Sequence, residues 1–300
     1  IVLPGYNPLK VPNAPTIGTA TAGSASLSVT FTAPSDVGGG AITSYTAVAK
    51  RTSDGVVFTA SGASSPITVT GLTAVAFTAT VFATNAYGPS PLSAASNSVT
   101  PLPAIGSALG GGFFAGQIST AGNSIADYNL IVGPVASAQT IGIQWKIVNT
   151  TTAGTTSVIN GPANSAAMND VTHPAAQFCE GLTIGGFSDW YMPAMNELEV
   201  CYFNLKPSTA TNNTNSGINA NAVPARASNY TNSPKVPDQT TSADFQSTGA
   251  EDFSTSSPIY WSSTEYSATD ARFQTFDNGV QSYGNKNYSL NVRAIRRVAV

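Results

Sequence analysis

Charged side chains are scarce in this sequence. Only 12 of its 300 residues are Lys or Arg and 15 are Asp or Glu, so charged residues make up 9% of the chain, against about 25% in an average soluble protein. The net charge of −3 argues against a nucleic-acid partner, because a nucleic-acid groove needs clustered Lys and Arg. Long apolar runs are also missing, so we expect no membrane span, which needs roughly 18 or more such residues.

Cysteine and histidine are equally rare. Two cysteines exclude a disulfide-dense scaffold, and one histidine excludes a zinc site built on paired histidines. We therefore expect no cofactor. Residues 1–5 (IVLPG) have no basic segment typical of a signal peptide and no initiator Met, so we expect residue 1 to begin a fragment or a processed product.

The first third of the chain consists of short alternating segments separated by turns. In Ser26–Thr32 the apolar residues Leu27, Val29 and Phe31 alternate with polar ones, as in a half-buried strand. About seven such strands between residues 10 and 101 predict an all-β sandwich. The named strand candidates are 26–32, 42–48, 56–60, 67–70, 77–83 and 94–99.

The motifs ITVTGL at 67–72 and ATNAYGP at 83–89 resemble the fibronectin type III domain of bacterial and phage proteins. The resemblance covers nearly all of residues 10–101. Phe31 stands where the family usually has Trp, and Phe77 stands where it has a tyrosine whose hydroxyl makes a corner hydrogen bond. The resemblance implies a spacer domain, and a ligand-binding role is the alternative.

Residues 104–300 have a different pattern. Pro101 and Pro103 predict a short stiff linker, so we expect a lead-in at 1–9, a spacer at 10–101 and a binding domain at 104–300. The predicted order in the last domain is strands, helices, a long irregular stretch and terminal strands, which is an α+β arrangement. The predicted elements are a hairpin at 110–118 and 128–132, a strand at 144–148, a helical segment at 165–181 interrupted by Pro174, a helix from Pro193 to Lys206, and strands at 259–263, 271–276, 279–283 and 290–296.

Four motifs in this half carry a second resemblance: LTIGGFSDWYMP at 182–193, NEL at 196–198, YWSST at 260–264 and VRAIR at 292–296. They resemble the C-terminal domain family first noticed in a bacterial collagen-like adhesin. That family is similar to the C-type-lectin-like fold, which formylglycine-generating enzymes and the receptor-binding tips of some phages share. Phage tail proteins also contain segments similar to 111–117 and 173–179. The resemblance implies an α+β C-type-lectin-like domain in a virion surface protein.

Several motif residues have structural explanations. We expect Trp190 and Trp261 to fill the core and Asp189 to cap the following turn. Glu197 could be an acid catalyst, but an ion pair with Arg293 or Arg296 is the preferred interpretation.

Cys179 and Cys201 are either a disulfide or two reduced buried thiols, and reduced thiols are preferred for a protein that folds in a reducing cytoplasm. A copper-binding pair, as in formylglycine-generating enzymes, fits poorly because both cysteines fall on predicted helices. His173 is expected near a helix start. The sugar-binding calcium motifs of true C-type lectins are absent from the sequence, so calcium is possible but unsupported.

The strongest candidate for a binding site is the segment 264–291. Tyrosine offers contact area at low entropic cost, while Asn and Ser offer adaptable hydrogen bonds. An ordinary solvated sheet face has the same composition and is the alternative. The predicted receptor-binding residues are Tyr266, Asp270, Asp277, Asn278, Gln281, Tyr283, Asn285, Asn287 and Tyr288.

These features predict an extracellular virion protein, in a tail fibre, tail tip or capsid decoration, that binds a bacterial surface glycan or protein without catalysis. We expect contacts with other virion proteins and a homo-oligomer such as a trimer, because avidity strengthens weak sites. A bacterial cell-surface adhesin is the second hypothesis. An enzyme of the formylglycine-generating type is the third.

Overall fold

Two antiparallel sheets form the first part of the chain. The computed structural model describes residues 9–300, so all but the last residue of the predicted lead-in lie outside the described residues. The chain divides into two units between Ala104 and Ile105. In the first unit the sheet orders are β1-β2-β5 and β4-β3-β6-β7. The strands are β1 Thr16–Gly23, β2 Ser26–Thr32, β3 Ile42–Arg51, β4 Val57–Gly62, β5 Ile67–Thr70, β6 Phe77–Asn85 and β7 Gly88–Pro89.

The alternating residues of these strands form the core between the two sheets, as predicted. Leu27 and Val29 are fully buried. The ring of Phe31 lies 4.8 Å from that of Tyr45, and Phe77 makes an edge contact of 5.9 Å with Phe58. Aromatic packing therefore occupies both positions at which the sequence departs from the fibronectin pattern. The predicted sandwich fold is confirmed.

The predicted strand at 94–99 is wrong. This part of the chain is extended but follows a three-residue period: the N–H groups of Ser90, Ser93 and Ser96 donate to the carbonyls of Ala83, Val81 and Ala79. Each serine hydroxyl also accepts the N–H of the same β6 residue, at 2.9–3.0 Å. A recurrence at every third residue does not match the two-residue period of a β-strand.

Leu102, the middle residue of the predicted linker, is fixed to the first unit. Its N–H donates to Gly23 O at 3.0 Å, and its carbonyl accepts the N–H of Ala25 at 2.8 Å. Residue 102 therefore belongs to the edge of the sandwich.

The second unit combines two five-stranded sheets with short helices, which confirms the predicted α+β class. The orders are β12-β9-β10-β19, with β8 paired to β9, and β11-β18-β15-β16-β17. A separate hairpin consists of β13 and β14. The strands are β8 Ala108–Leu109, β9 Gly112–Ile118, β10 Tyr128–Val132, β11 Gln139–Gln144, β12 Ala222–Val223, β13 Thr231–Asn232, β14 Lys235–Val236, β15 Ile259–Glu265, β16 Asp270–Thr275, β17 Gln281–Asn285, β18 Ser289–Arg293 and β19 Ile295–Ala299.

The helices are short, and the segment predicted as helical at 165–181 starts earlier than predicted and is interrupted between Ala166 and Pro174. The helical segment predicted at 165–181 is two helices, the first capped by Asn160, whose side chain accepts the N–H of Ala163. The second begins at Pro174 with His173 as its N-cap, as expected for a proline at the first helical position. The helices are α1 Val135–Ala138, α2 Gly161–Ala166, α3 Pro174–Glu180 and α4 Met195–Leu205, with a 3₁₀ turn at Ala243–Phe245.

Two strand predictions in this unit are wrong. The strand expected at 144–148 ends at Gln144, because Trp145 turns inward and its indole N–H donates to Ser262 O at 2.9 Å. The strand expected at 290–296 is two strands in different sheets, separated by Ala294. The N–H and carbonyl of Ala294 bond to Ala138 and Gly133 instead of to a neighbouring strand. Among residues 9–300, no helix is long and apolar enough to cross a membrane.

Candidate functional site

The nine predicted site residues lie on and around the hairpin of β16 and β17, but they do not form one surface. Asp277, Asn278 and Gln281 lie at or beside its turn. The strand β16 lies between this turn and the open end of the hairpin. From its first to its last residue it is about 17 Å long, at about 3.4 Å for each step between neighbouring residues. The other six lie towards the open end: Tyr266, Asp270, Tyr283, Asn285, Asn287 and Tyr288.

The residues at the turn make bonds within the protein. The Asn278 side-chain oxygen accepts the Thr275 hydroxyl at 2.7 Å and the Val280 N–H at 3.2 Å. The Gln281 side-chain oxygen accepts the N–H of Gly217 at 3.0 Å, which ties the irregular loop to β17. These two side chains have structural roles that their sequence positions did not reveal.

At the open end, two tyrosines form an exposed stack. The rings of Tyr266 and Tyr283 lie 3.8 Å apart and 12° from parallel, yet the residues remain 47% and 48% exposed. The neighbouring Tyr266 hydroxyl raises the pKa of Tyr283, and the charge of Asp270 adds to this effect. The stack is therefore a flat apolar surface with hydroxyl groups at its edge.

Three further side chains complete this surface. Arg272 pairs with Tyr283 and Asp270 pairs with Asn285 across the two strands, and cross-strand partners share a face. The Arg272 guanidinium lies 5.1 Å from the centre of the Tyr266 ring. We call Tyr266, Asp270, Arg272, Tyr283 and Asn285 the aromatic patch. The sequence-based prediction omitted Arg272, although it is the one basic residue of β16.

Tyr288 lies on the opposite face of the hairpin from the aromatic patch. A Cβ placed on Gly284 would meet the Tyr288 ring at 3.5 Å and the Phe273 ring at 3.3 Å. Gly284 and Phe273 alternate with Tyr283 and Arg272, so they point to the other side of the sheet. Asn287 is exposed, and its carbonyl accepts the Gln144 amide at 2.8 Å.

Beside the patch lies a buried ion pair that the sequence did not predict. Lys286 and Glu265 are both buried and form a salt bridge. The Lys286 ammonium also donates to the carbonyls of Thr150 and Ala268, each at 2.9 Å, and lies 4.9 Å from the Trp145 ring. Burial lowers the pKa of Lys286, and the bond to Glu265 opposes this change.

A second lysine and the single histidine extend this pair. Lys146 is buried and donates to the Thr152 hydroxyl at 2.9 Å. The same hydroxyl lies 2.8 Å from Nε2 of His173, and the Thr152 N–H donates to Glu265 at 2.8 Å. We call Lys146, Thr152, His173, Glu265 and Lys286 the buried lysine cluster.

Comparison with known families gives a match over most of the second unit. The family model of the Lcl C-terminal domain matches residues 135–296, which is more than half of the chain. The chain belongs to the Lcl C-terminal domain family. Both the aromatic patch and the buried lysine cluster lie inside the matched residues.

Other comparisons are less extensive. None of the curated proteins matches the chain in sequence. Titin module A71 from human cardiac muscle is 29% identical over 31% of this chain and 91% of its own, with a TM-score of 0.26. The FN5 domain of Drosophila Lar is 25% identical over 31% of this chain and 98% of its own, with a TM-score of 0.26. The structure of titin kinase and its flanking domains is 23% identical over 31% of this chain, with a TM-score of 0.29. The match spans only 17% of the length of that titin chain.

The motif residues of the Lcl C-terminal domain form its core and its ion pairs. Trp190 and Trp261 are buried, as predicted. Asp189 does not cap the following turn, which corrects the expectation. Its two carboxylate oxygens accept hydrogen bonds from Nε and Nη2 of Arg296, at 2.7 and 2.9 Å. This bond lowers the pKa of Asp189.

Glu197 is a buried structural residue, but its partner was predicted wrongly. The carboxylate accepts Nε of Arg297 at 2.7 Å, and neither Arg293 nor Arg296 is its partner. Burial raises the pKa of Glu197, while the Arg297 charge opposes this. Arg293 pairs instead with Glu251 at 2.7 Å, and burial lowers the pKa of Arg293 to about 10.

Cys179 and Cys201 are free and fully buried, in agreement with the preferred interpretation. Burial raises the pKa of both thiols, so both remain protonated and weakly nucleophilic at neutral pH. In the part of the chain that the structure describes, no three His, Cys, Asp or Glu side chains are grouped as metal ligands.

Proposed function

We propose that the second unit is a binding module whose aromatic patch holds a surface glycan. The exposed stack of Tyr266 and Tyr283 is the observation that carries this proposal. Removing apolar surface from water is favourable, so an exposed aromatic stack gains free energy when a ligand covers it. Tyrosine combines a flat apolar ring with a polar hydroxyl. Sugar rings have the complementary form, with an apolar C–H face and hydroxyls at the edge.

Charge favours an uncharged ligand. The patch contains one cation, Arg272, and one anion, Asp270, while Lys146 and Lys286 are buried beside it. An anionic polysaccharide would require several exposed cations, and its binding would weaken with added salt. We therefore propose a neutral glycan with salt-insensitive binding.

A glycan array tests this proposal. Tyr283→Ala removes half of the stack, and we expect at least a tenfold loss of affinity, which corresponds to about 1.4 kcal/mol. Tyr87→Ala is the matched control, because Tyr87 is a 46% exposed tyrosine in the first unit. Tyr288→Ala compares the opposite face of the hairpin. Parent-like binding by both Tyr266→Ala and Tyr283→Ala would exclude the patch as the site.

We further propose that the chain is displayed on a virion, with the sandwich as a spacer, other virion proteins as neighbours and a trimer as the assembly. Support comes from segments 111–117 and 173–179, which resemble segments of phage tail proteins, and from the gain in avidity that several copies provide. Immunogold labelling of purified particles tests the location, and native mass spectrometry tests the copy number. Unlabelled particles would contradict the virion location.

A bacterial surface adhesin is the second candidate, and the family supports it directly. The matched Lcl C-terminal domain is an adhesin-related family. Antibody labelling of intact bacteria that carry no phage separates the two candidates, because only an adhesin would be detected there. The same patch would bind the ligand in either case.

We propose that the module acts without catalysis. The raised pKa of both buried thiols supports this, because a formylglycine-generating reaction needs reactive cysteines. Incubation of the protein with copper and cysteine-containing peptides tests the alternative, and formation of an aldehyde product would overturn the proposal.

A further inference from the structure

Proton positions in the buried lysine cluster follow from its partners. The Lys146 ammonium can only donate, so the Thr152 hydroxyl oxygen accepts from it at 2.9 Å. The hydroxyl proton is then free to bond to Nε2 of His173 at 2.8 Å. Nδ1 of His173 faces the Asp170 carboxylate at 2.9 Å and must carry the proton there. The arrangement therefore requires a neutral imidazole with a bare Nε2.

The same cluster joins the two loops next to the aromatic patch. Lys286 directly follows Asn285 of the patch, and its ammonium donates to the Ala268 carbonyl. Its N–H donates to Thr269 O at 2.9 Å. Tyr266 begins the loop that contains these two carbonyls, and it directly follows Glu265, the ion-pair partner of Lys286. One lysine thus fixes the chain on both sides of the tyrosine stack.

A proton on Nε2 conflicts with this arrangement. Nε2–H and the Lys146 ammonium would both point at the Thr152 oxygen, and the hydroxyl proton would lose its acceptor. The charged groups around His173 are Lys146, Lys286 and Glu265 in the cluster, and Asp170 at its solvent-facing edge. A protonated imidazole would add a third cation beside Lys146 and Lys286, where Glu265 is the one buried carboxylate and the half-exposed Asp170 is already bonded to Nδ1.

We propose that His173 is a proton sensor for the aromatic patch: its protonation breaks the Thr152 link, loosens the Glu265–Lys286 pair and separates the stacked tyrosines. Burial lowers the pKa of His173, Asp170 opposes this, and the two lysines lower it further. The patch is therefore ordered at neutral pH and loses its geometry in acid. This regulation rests on the proposed binding function of the same patch.

NMR spectroscopy of the full chain tests the coupling without a ligand. The chain has one histidine, so its imidazole signals need no assignment by mutation. We expect the His173 signals and the ring signals of Tyr266 and Tyr283 to shift together, with one midpoint below the value of about 6.5 for a free imidazole. Tyrosine signals that stay constant while His173 titrates would overturn the proposal, as would a midpoint at or above the free value.

Three variants at two positions separate sensing from folding. His173→Gln should abolish the acid shift of the tyrosine signals, and its folded spectrum at neutral pH serves as the check on structure. Thr152→Val should uncouple the tyrosines from His173, whereas Thr152→Ser, which keeps the hydroxyl, should preserve the coupling. A coupled titration in Thr152→Val would refute the proposed link. Because no glycan is present, failure of the binding proposal leaves these outcomes unaffected.

Discussion

Glu197 in α4 is fully buried and forms an ion pair with Arg297 in β19, with 2.7 Å between Oε1 and Nε. The same carboxylate accepts the Tyr191 hydroxyl at 2.5 Å and the N–H groups of Ala194 and Gly161 at 2.8 and 3.1 Å. One side chain thus joins the start of the longest helix to the last strand and to α2. A carboxylate with four donors has its charge compensated inside the protein.

Removing this carboxylate should destabilise the second unit strongly. Glu197→Ala leaves the Arg297 charge, whose side chain is only 11% exposed, without its carboxylate partner, so we expect a loss of about 3–5 kcal/mol in the free energy of unfolding. Urea denaturation measures it. Asp54→Ala, which breaks the exposed Arg51–Asp54 pair, is the control and should cost less than about 1 kcal/mol. A similar small loss for both variants would contradict the structural role of Glu197.

The serine period at the edge of the sandwich predicts a second effect. Ser93→Ala removes the acceptor of the buried Val81 N–H, and an unsatisfied buried donor costs about 1–3 kcal/mol. Ser53→Ala, at the exposed hairpin tip, should change stability by less than about 0.5 kcal/mol. Thermal unfolding of the first unit distinguishes the two, and equal melting temperatures would show that the hydroxyl is dispensable.

Two glycines with positive φ provide a matched pair. Gly142 has φ +69 and no atom within 4 Å of an added Cβ, so Gly142→Ala should cost only backbone strain, about 1–2 kcal/mol. At Gly279, φ is +80 and the Cβ would meet the Tyr202 ring at 2.4 Å. We expect Gly279→Ala to cost about 1–3 kcal/mol more. Equal denaturation midpoints would show that the tyrosine moves freely.

Acid should destabilise the second unit through His173. The folded-state pKa of His173 is lowered, whereas the unfolded chain takes up its proton near pH 6.5, about the free value. The contribution of neutral His173 to the free energy of unfolding is therefore fully present above about pH 6.5. It falls as the pH drops towards the folded-state pKa, by up to about 1.4 kcal/mol per pH unit. Unfolding free energies measured across this window should decline less for His173→Gln. Parallel curves would show that the histidine does not contribute.

Local patterns predicted those elements whose residues alternate or repeat in sequence. Ser26–Thr32 and Met195–Leu205 appear as expected, because a period of two or of about 3.6 already determines which face is buried. The nine site residues remain a composition-based prediction. The structure adds that five residues, including Arg272, share one face while Tyr288 lies on the other.

Features fixed by distant partners could not be predicted. Lys286 appears in sequence as an ordinary surface lysine between two asparagines, and its burial depends on Glu265 and on carbonyls far along the chain. The partner of Glu197 was assigned wrongly for a similar reason. Arg293, Arg296 and Arg297 lie close together in sequence, and only the path through Ala294 decides which carboxylate each one meets.

The break at Ala294 also affects the order of synthesis. β18 lies between β11 and β15 in one sheet, and β19 pairs with β10 in the other. Both sheets are completed only by β18 and β19, so a product that ends before β18 would expose unpaired edges on β10, β11 and β15 at once. Edges of that kind are templates for aggregation.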